Sequence, residues 1–226
     1  MTNLDGTVIL VAGASGGLGS RVAAQLADAG AIVIRAARSP ENLHGPDAFL
    51  ADLNQDTAGA SLVAAAIGAR GRLDGVVIAA GVVAFGPISE VTDDALRTLF
   101  AVNTLSPIRL VRDALPYLAE SAAAGREPFI VTISGVVSEA PTAGLAAYSA
   151  SKAALAAFVQ ASSRELRRGG IRILDARPGH TETGLATRAI AGAAPKFPEG
   201  LNPDDVAARI VRAIVDGEKD LPSTAF

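Results

Sequence analysis

The sequence predicts an α/β fold, a doubly wound parallel sheet in a single domain over residues 1–226. Three observations carry that expectation. Short β-branched runs alternate regularly with Ala-rich helical stretches, the pattern of parallel strands joined by right-handed crossovers. Half of the residues are hydrophobic and only 4% are aromatic, so the core must be Ala, Val, Leu and Ile, which suits strands covered on both faces. The first strand also runs directly into a glycine-rich turn that opens a helix, as in sheets that bind ligands beyond their strand C-termini.

Taken in order, Thr7 to Ala12 (TVILVA) is the first strand, bounded by Gly. Leu18 to Ala29 is helical and Gly30 stops it. Ala31 to Ala36 is a second strand and Ala48 to Ala51 a weaker third. Residues 57–69 read as a helix and Asp74 to Ala80 as a fourth strand. A long helical stretch covers roughly 92–119, with interruptions expected at Pro107 and Pro116. Phe129 to Ile133 is a fifth strand, 145–168 a long helix ended by Gly169-Gly170, Ile171 to Ala176 a sixth strand, and 203–216 a last helix. The sum is a Rossmann-type sheet. The Gly- and Pro-containing segment 188–202, in a substrate loop of approximately 180–202, is expected to be a mobile lid.

Composition removes several function classes. The formal net charge is −3 with no basic block, so no nucleic-acid footprint exists and no nucleic-acid partner is expected. With no Cys, disulfides, Cys metal sites and a Cys nucleophile are excluded. His44 and His180 are far apart and neither has metal-ligand spacing, so no metal is expected. The opening MTNLDGTVILVAG lacks a basic n-region, and no apolar run is long enough for a bilayer. The expectation is a soluble, cytoplasmic protein without a membrane partner.

Gly13-Ala14-Ser15-Gly16-Gly17-Leu18-Gly19 joins the first strand to the first helix. Glycine lets a ligand approach the backbone closely, and a helix N-terminus offers unpaired N–H groups to a pyrophosphate. Glycines at 13, 17 and 19 give G-x-x-x-G-x-G, which is neither G-x-G-x-x-G nor a Walker A loop. A turn that only packs helix on strand would look the same; its place between a strand and a helix favours the ligand reading. Tyr148 and Lys152 form the second constellation, four residues apart and so on one helix face. A nearby ammonium favours phenolate and is expected to lower the Tyr148 pKa toward a range useful for proton transfer. Taken alone, Y-x-x-x-K is an ordinary helix-surface pair.

Together, G-x-x-x-G-x-G, Asn103 and YSASKAAL (148–155) resemble the short-chain dehydrogenase/reductase family over residues 6 to 186. The resemblance implies that Tyr148 is the acid/base and that Lys152 binds the nicotinamide ribose and tunes Tyr148. It implies that Asn103 holds a water of the proton relay. Gly13, Ser15, Gly16, Gly17, Leu18 and Gly19 would cradle the cofactor, with Ala80 and Gly81 after the fourth strand. Asp52-Leu53 matches the acidic position near the adenine, although a helix-capping Asp reads equally well. Pro178, Gly179, Thr181 and Thr183 match the P-G-x-x-x-T segment that closes over the nicotinamide, where Pro-Gly is otherwise simply a turn. His180 lies in that loop, and a solvated His without a partner is the plainer reading.

The sequence departs from the family pattern at four places. Ala12 stands where Thr usually begins the turn, and Ile78-Ala79-Ala80-Gly81 replaces Asn-Asn-Ala-Gly. The usual glycine-rich seventh strand is missing, with Leu221 and its neighbours expected to add at most a short edge strand; a homodimer or homotetramer is expected all the same. The fourth is the serine about thirteen residues before Tyr148, where this chain has Gly135. Ser134 and Ser138 are its neighbours. A one-residue shift along a strand reverses the face, but a bulge at Gly135 would swing Ser134 back, so Ser134 is the expected substitute and Ser138 the second choice.

The implied activity is hydride transfer between a nicotinamide cofactor and a carbonyl or alcohol. NADP(H) is expected over NAD(H): the position where an acid would accept the ribose 2′-OH is Ala37, and Arg38 follows, ready for a 2′-phosphate. Val82, Val83, Phe85, Val136, Val137 and Leu145 suggest a non-polar small-molecule substrate. Two alternatives stand beside this reading. One is a non-catalytic dinucleotide sensor, which would not need a tuned Tyr. The other is an epimerase or dehydratase of the related extended type, for which the chain looks too short.

Overall fold

The computed structural model describes residues 1–41, 43 and 47–226; His44 lies outside the described residues. β1 (Val8–Ala12) is buried at every position and takes the middle of the sheet. It pairs in parallel with β2 (Ile32–Ala37) on one side and β4 (Gly75–Ile78) on the other. β3 (Ala48–Leu50) lies outside β2, while β5 (Phe129–Ile133) and β6 (Arg172–Ala176) follow β4, giving the order β3-β2-β1-β4-β5-β6. The chain travels one way from β1 and the other way from β4, so a crevice opens beyond Ala12 and its register partner Ile78.

Both faces are covered. Ile9 and Val11 of β1 join Val22 and Leu26 of α1 (Gly19–Asp28) and Ile210 and Ile214 of α6 (Pro203–Asp216). Val8 and Leu10 point the other way, onto Leu62 of α2 (Ala58–Arg70), Leu110 of α4 (Ser106–Ala123) and Leu155 of α5 (Ala146–Leu166). This alternation follows from the two-residue repeat of a strand, and burial on both faces explains why the central strands β1 and β4 read as continuous apolar runs. Ends are set locally: Thr92 accepts from the Ala95 N–H at 3.2 Å to open α3 (Asp93–Phe100), and Asn202 accepts from Asp204 N–H at 2.8 Å to open α6.

The stretch expected to break at both prolines behaves differently. Pro107 sits in the first turn of α4, and that helix runs on through Pro116. The interruption is a π-helical turn, Ala101–Leu105, directly before Pro107. Proline cannot donate a backbone hydrogen bond, and the chain relaxes upstream, where Ser106 N–H reaches back to Ala101 O. Asn103 lies in this turn. At the C-terminal end, Leu221 is buried beside β6 through a single parallel bridge to Ala176, which is less than a strand. Among the described residues no helix is long and apolar enough to cross a membrane.

Candidate active site

The crevice is a cleft of about 660 Å³. Gly13, Ser15, Gly16, Gly17, Leu18, Arg38, Asp52, Leu53, Ala80, Gly81, Pro178, Gly179, Thr181 and Thr183 border it, as do Ser134, Tyr148 and Lys152. Gly19 and Asn103, expected at the site, lie behind its wall. Gly13 has φ +88, and a Cβ there would stand 2.5 Å from Ala80 N, so only glycine lets the turn close on the end of β4. A Cβ on Gly17 would stand 2.5 Å from Thr183 O, so this glycine lets the Pro178–Thr183 segment come down onto the turn. No side chain caps α1 and its first turn holds no acid, which leaves its N-terminal N–H groups for an anion.

Asp52 accepts hydrogen bonds from Asn54 N (3.0 Å) and Nδ2 (3.1 Å). It therefore shapes its own turn; the residue preceding α2 is Thr57, so the helix-capping alternative does not apply. Arg38 is exposed at the same end of the cleft, with Ser39 and Glu41 beside it.

Tyr148 lies in the first turn of α5 and Lys152 one turn later. Lys152 is 5% exposed and its Nζ donates to Ile133 O at 2.7 Å. Burial pulls its ammonium down to about 8, partly offset by the negative field of Asp175. Tyr148 corrects an expectation: burial pushes its phenol up to about 12. The loss of hydration outweighs any field from Lys152, and Tyr148 is held as a neutral acid. Asn103 is fully buried; its Oδ1 accepts from Val82 N–H and its Nδ2 donates to Val82 O, both at 2.9 Å, and also to Ser151 Oγ at 3.0 Å. The side chain thereby ties the π-helical turn to α5 and to the segment after β4.

The expected kink at Gly135 exists, with φ +79. Ser134 nevertheless turns its hydroxyl inward. It is fully buried, Oγ donates to Asp175 Oδ2, and Ser138 Oγ lies 3.0 Å away. Ser138 also donates to Gly135 O at 2.8 Å. Strand alternation persists through Ser134, and the kink begins only after it.

The loop 188–202 is fastened where the sequence suggested mobility. Ile190 N–H donates to Val83 O (2.8 Å), Phe85 N–H to Ala191 O (2.9 Å), and Leu201 N–H to His180 O (2.7 Å). His180 has the partners its sequence context did not reveal: Glu182 Oε1 at 3.3 Å from Nε2, and the Phe197 ring stacked at 4.6 Å. Val82, Val83, Phe85, Val136, Val137 and Leu145 all border the cleft, joined by Thr142, Leu185, Arg188 and Phe197, which sequence reading missed because irregular loops carry no periodicity. Asp175 was missed too, although an acid inside the strand segment Ile171 to Ala176 was a visible signal.

Residues 7–193 match the family model described as short chain dehydrogenase. The chain is 35% identical to an oxidoreductase of Methylorubrum extorquens over 85% of this chain and 80% of that one. It is 27% identical to the 2,3-dihydro-2,3-dihydroxybenzoate dehydrogenase of Bacillus subtilis over 92% of this chain and 88% of that one. Its fold matches the 3-ketoacyl-(acyl-carrier-protein) reductase of Brucella melitensis, solved with NADH, with a TM-score of 0.87 at 24% identity over 98% and 99% of the two chains. It also matches a short chain dehydrogenase of Burkholderia cenocepacia, solved with NADP, with a TM-score of 0.83 at 22% identity over 99% and 90%. Fold, motif order and these relatives agree: the chain belongs to the short-chain dehydrogenase/reductase family of oxidoreductases.

Proposed function

We propose that this oxidoreductase interconverts a non-polar carbonyl compound and its alcohol, with NADP(H) as partner and Tyr148 as general acid/base. The observation that carries the reading is the joining of two sequence-distant groups in one cleft. The uncapped helix turn Gly13–Gly19 borders one end, and the buried Tyr148–Lys152 pair borders the other. The residues fit a dinucleotide: a glycine turn free of side chains for the pyrophosphate, and Asp52 and Leu53 beside the adenine end. When bound, the nicotinamide supplies or accepts the hydride at the carbonyl carbon. Tyr148, held protonated, gives its proton to the carbonyl oxygen in the reducing direction and takes one back in the reverse. Lys152 would hold the ribose and would stabilise phenolate once Tyr148 has released its proton. Asn103 holds the turn through which the proton relay would reach water. Ser134 borders the cleft with its hydroxyl turned onto Asp175, so the substrate oxygen would meet Tyr148 beside the bare backbone of Gly135.

Arg38 supports NADP(H), since it could form a charge-assisted pair with a 2′-phosphate, while Glu41 at the same end works against it. Dissociation constants for both cofactors decide the point: NADP(H) bound more tightly, and the gap closed by Arg38→Ala, is the expected result. A homo-oligomer in the cytoplasm completes the proposal, checked by light scattering and fractionation.

A panel of aldehydes, ketones and alcohols with each cofactor, read at the nicotinamide absorbance, tests the function. Stoichiometric consumption of NAD(P)H on an apolar carbonyl compound is expected. Binding without turnover on any member would favour a sensor, and substrate conversion without net cofactor change would favour an epimerase.

A further inference from the structure

Behind the position of the missing serine lies a buried cluster of charged and polar groups. Asp175 is 3% exposed near the end of β6, between the buried Leu174 and Ala176. Its Oδ1 accepts from Thr132 Oγ1 at 2.7 Å and Ser134 N at 3.2 Å, and its Oδ2 accepts from Ser134 Oγ. The residue before Ser134, Ile133, supplies the carbonyl that holds Lys152 Nζ at 2.7 Å. The peptide unit joining Ile133, the last residue of β5, to Ser134 therefore holds a buried ammonium by its carbonyl and a buried carboxylate by its N–H.

Arg177 cannot neutralise Asp175 alone. It lies 3.5 Å from Asp175 Oδ2, but it also pairs with Glu139 and, at 2.7 Å, with Asp220. That is three carboxylates on one guanidinium. Lys152 from α5 is the other cation facing Asp175; Tyr148, from the same helix, is neutral at ordinary pH. Asn103 of the π-helical turn and Gly81 after β4 lie beside Lys152, neither of them charged: a Cβ on Gly81 would stand 3.3 Å from both Asn103 Oδ1 and Lys152 Nζ.

We propose that Asp175 is a positioning residue: its carboxylate, held by Ser134 and Thr132, is the buried counter-charge that keeps Lys152 protonated in the working site. This rests on the reading of Lys152 as a working group. It also gives Ser134 a role that touches no substrate. Burial raises Asp175 and lowers Lys152, and each is pulled back by the other's charge, so losing one must move the other.

The chain makes the test tractable, because its only lysines are Lys152, Lys196 and Lys219. With 13Cε-labelled lysine, three side-chain signals result, and Lys152→Met identifies the one of interest. In the wild type this signal should titrate near 8. Asp175→Asn should lower that midpoint by about one pH unit or more, a tenfold change in the ratio of charged to neutral amine. Asp220→Asn, which removes one exposed partner of Arg177 and leaves Asp175 untouched, should leave it in place. A folded Asp175→Asn protein with an unmoved or raised Lys152 midpoint overturns the proposal. Should Asp175→Asn not fold, the wild type provides an equivalent test: protonation of Asp175 must appear as a second, acid inflection in the Lys152 signal, and its absence overturns the proposal. Neither reading needs substrate or cofactor, so a failure of the oxidoreductase reading would not be mistaken for a failure here. With a substrate in hand, the turnover lost in Asp175→Asn should grow as pH rises from 6 to 8; a purely structural defect would be equal at every pH.

Discussion

Replacing Lys152 with Met should make the protein more stable at neutral pH, and the gain should disappear in alkali. The burial of Lys152 lowers its ammonium from 10.5 to about 8. At 1.36 kcal/mol per pH unit, that is about 3 kcal/mol of unfavourable charge burial in the folded state. The sign follows from proton binding. Between about 8 and 10.5 the unfolded chain holds a proton on Lys152 that the folded chain has released, so wild-type stability gains from this group as pH rises through that window. Met fills similar space without charge and never incurs the penalty. It does leave Ile133 O without its donor, a loss of about 1 kcal/mol that does not vary with pH. The variant should thus exceed the wild type by about 2 kcal/mol at pH 7 and fall about 1 kcal/mol below it above pH 10.5. Urea unfolding of both proteins across pH 7 to 11 measures the difference, in which the titration of groups away from the Lys152–Asp175 cluster cancels. A difference that stays flat across the window would refute the buried-ammonium argument, even if the variant were the more stable protein throughout.

Three further outcomes follow from the packing. Gly17→Ala forces a Cβ to within 2.5 Å of Thr183 O, so the Pro178–Thr183 segment must lift; cofactor affinity should fall about tenfold, matching an overpacking cost of about 1–3 kcal/mol, and unchanged affinity would contradict the close approach. Gly192→Ala places a Cβ 1.9 Å from Phe85 O at φ +68, which should release the loop from the cleft rim; KM should rise with little change in Tm. Asp74 is buried and receives Val8 N–H, Ser121 and Arg72. Burial raises its carboxyl, but these partners outweigh that and hold it below the usual value, so its stabilising contribution is present at neutral pH and fades as pH falls below about 4. Asp74→Asn should cost about 3 kcal/mol at pH 7, near 10 °C in Tm, and much less at pH 3.

The strands were legible because each is a short run dominated by buried apolar residues, the mark of a sheet covered on both faces: Phe129–Ile133 has the bounds that the sequence suggested. The cofactor end was legible for a similar reason, since a glycine turn between strand and helix leaves a local signature. What escaped reading depends on burial and distance. Tyr148 and Lys152 are visible as a pair, yet the direction of the Tyr148 shift is set by the loss of water around it, which no spacing encodes. The partners of Ser134 and His180, namely Asp175 and Phe197, come from other parts of the chain. The π-helical turn at Asn103 was hidden because Pro107 acts on the residues before it rather than at its own position.

The central claim is that Tyr148 carries the proton. Tyr148→Phe removes the one hydroxyl and leaves the ring that packs in the wall, so the cofactor dissociation constant should stay within about twofold of the wild type. On the best carbonyl compound found in the panel, kcat should fall by about 10²-fold or more, the loss typical of a missing general acid. A Tyr148→Phe enzyme with undiminished kcat and unchanged cofactor affinity would contradict the account.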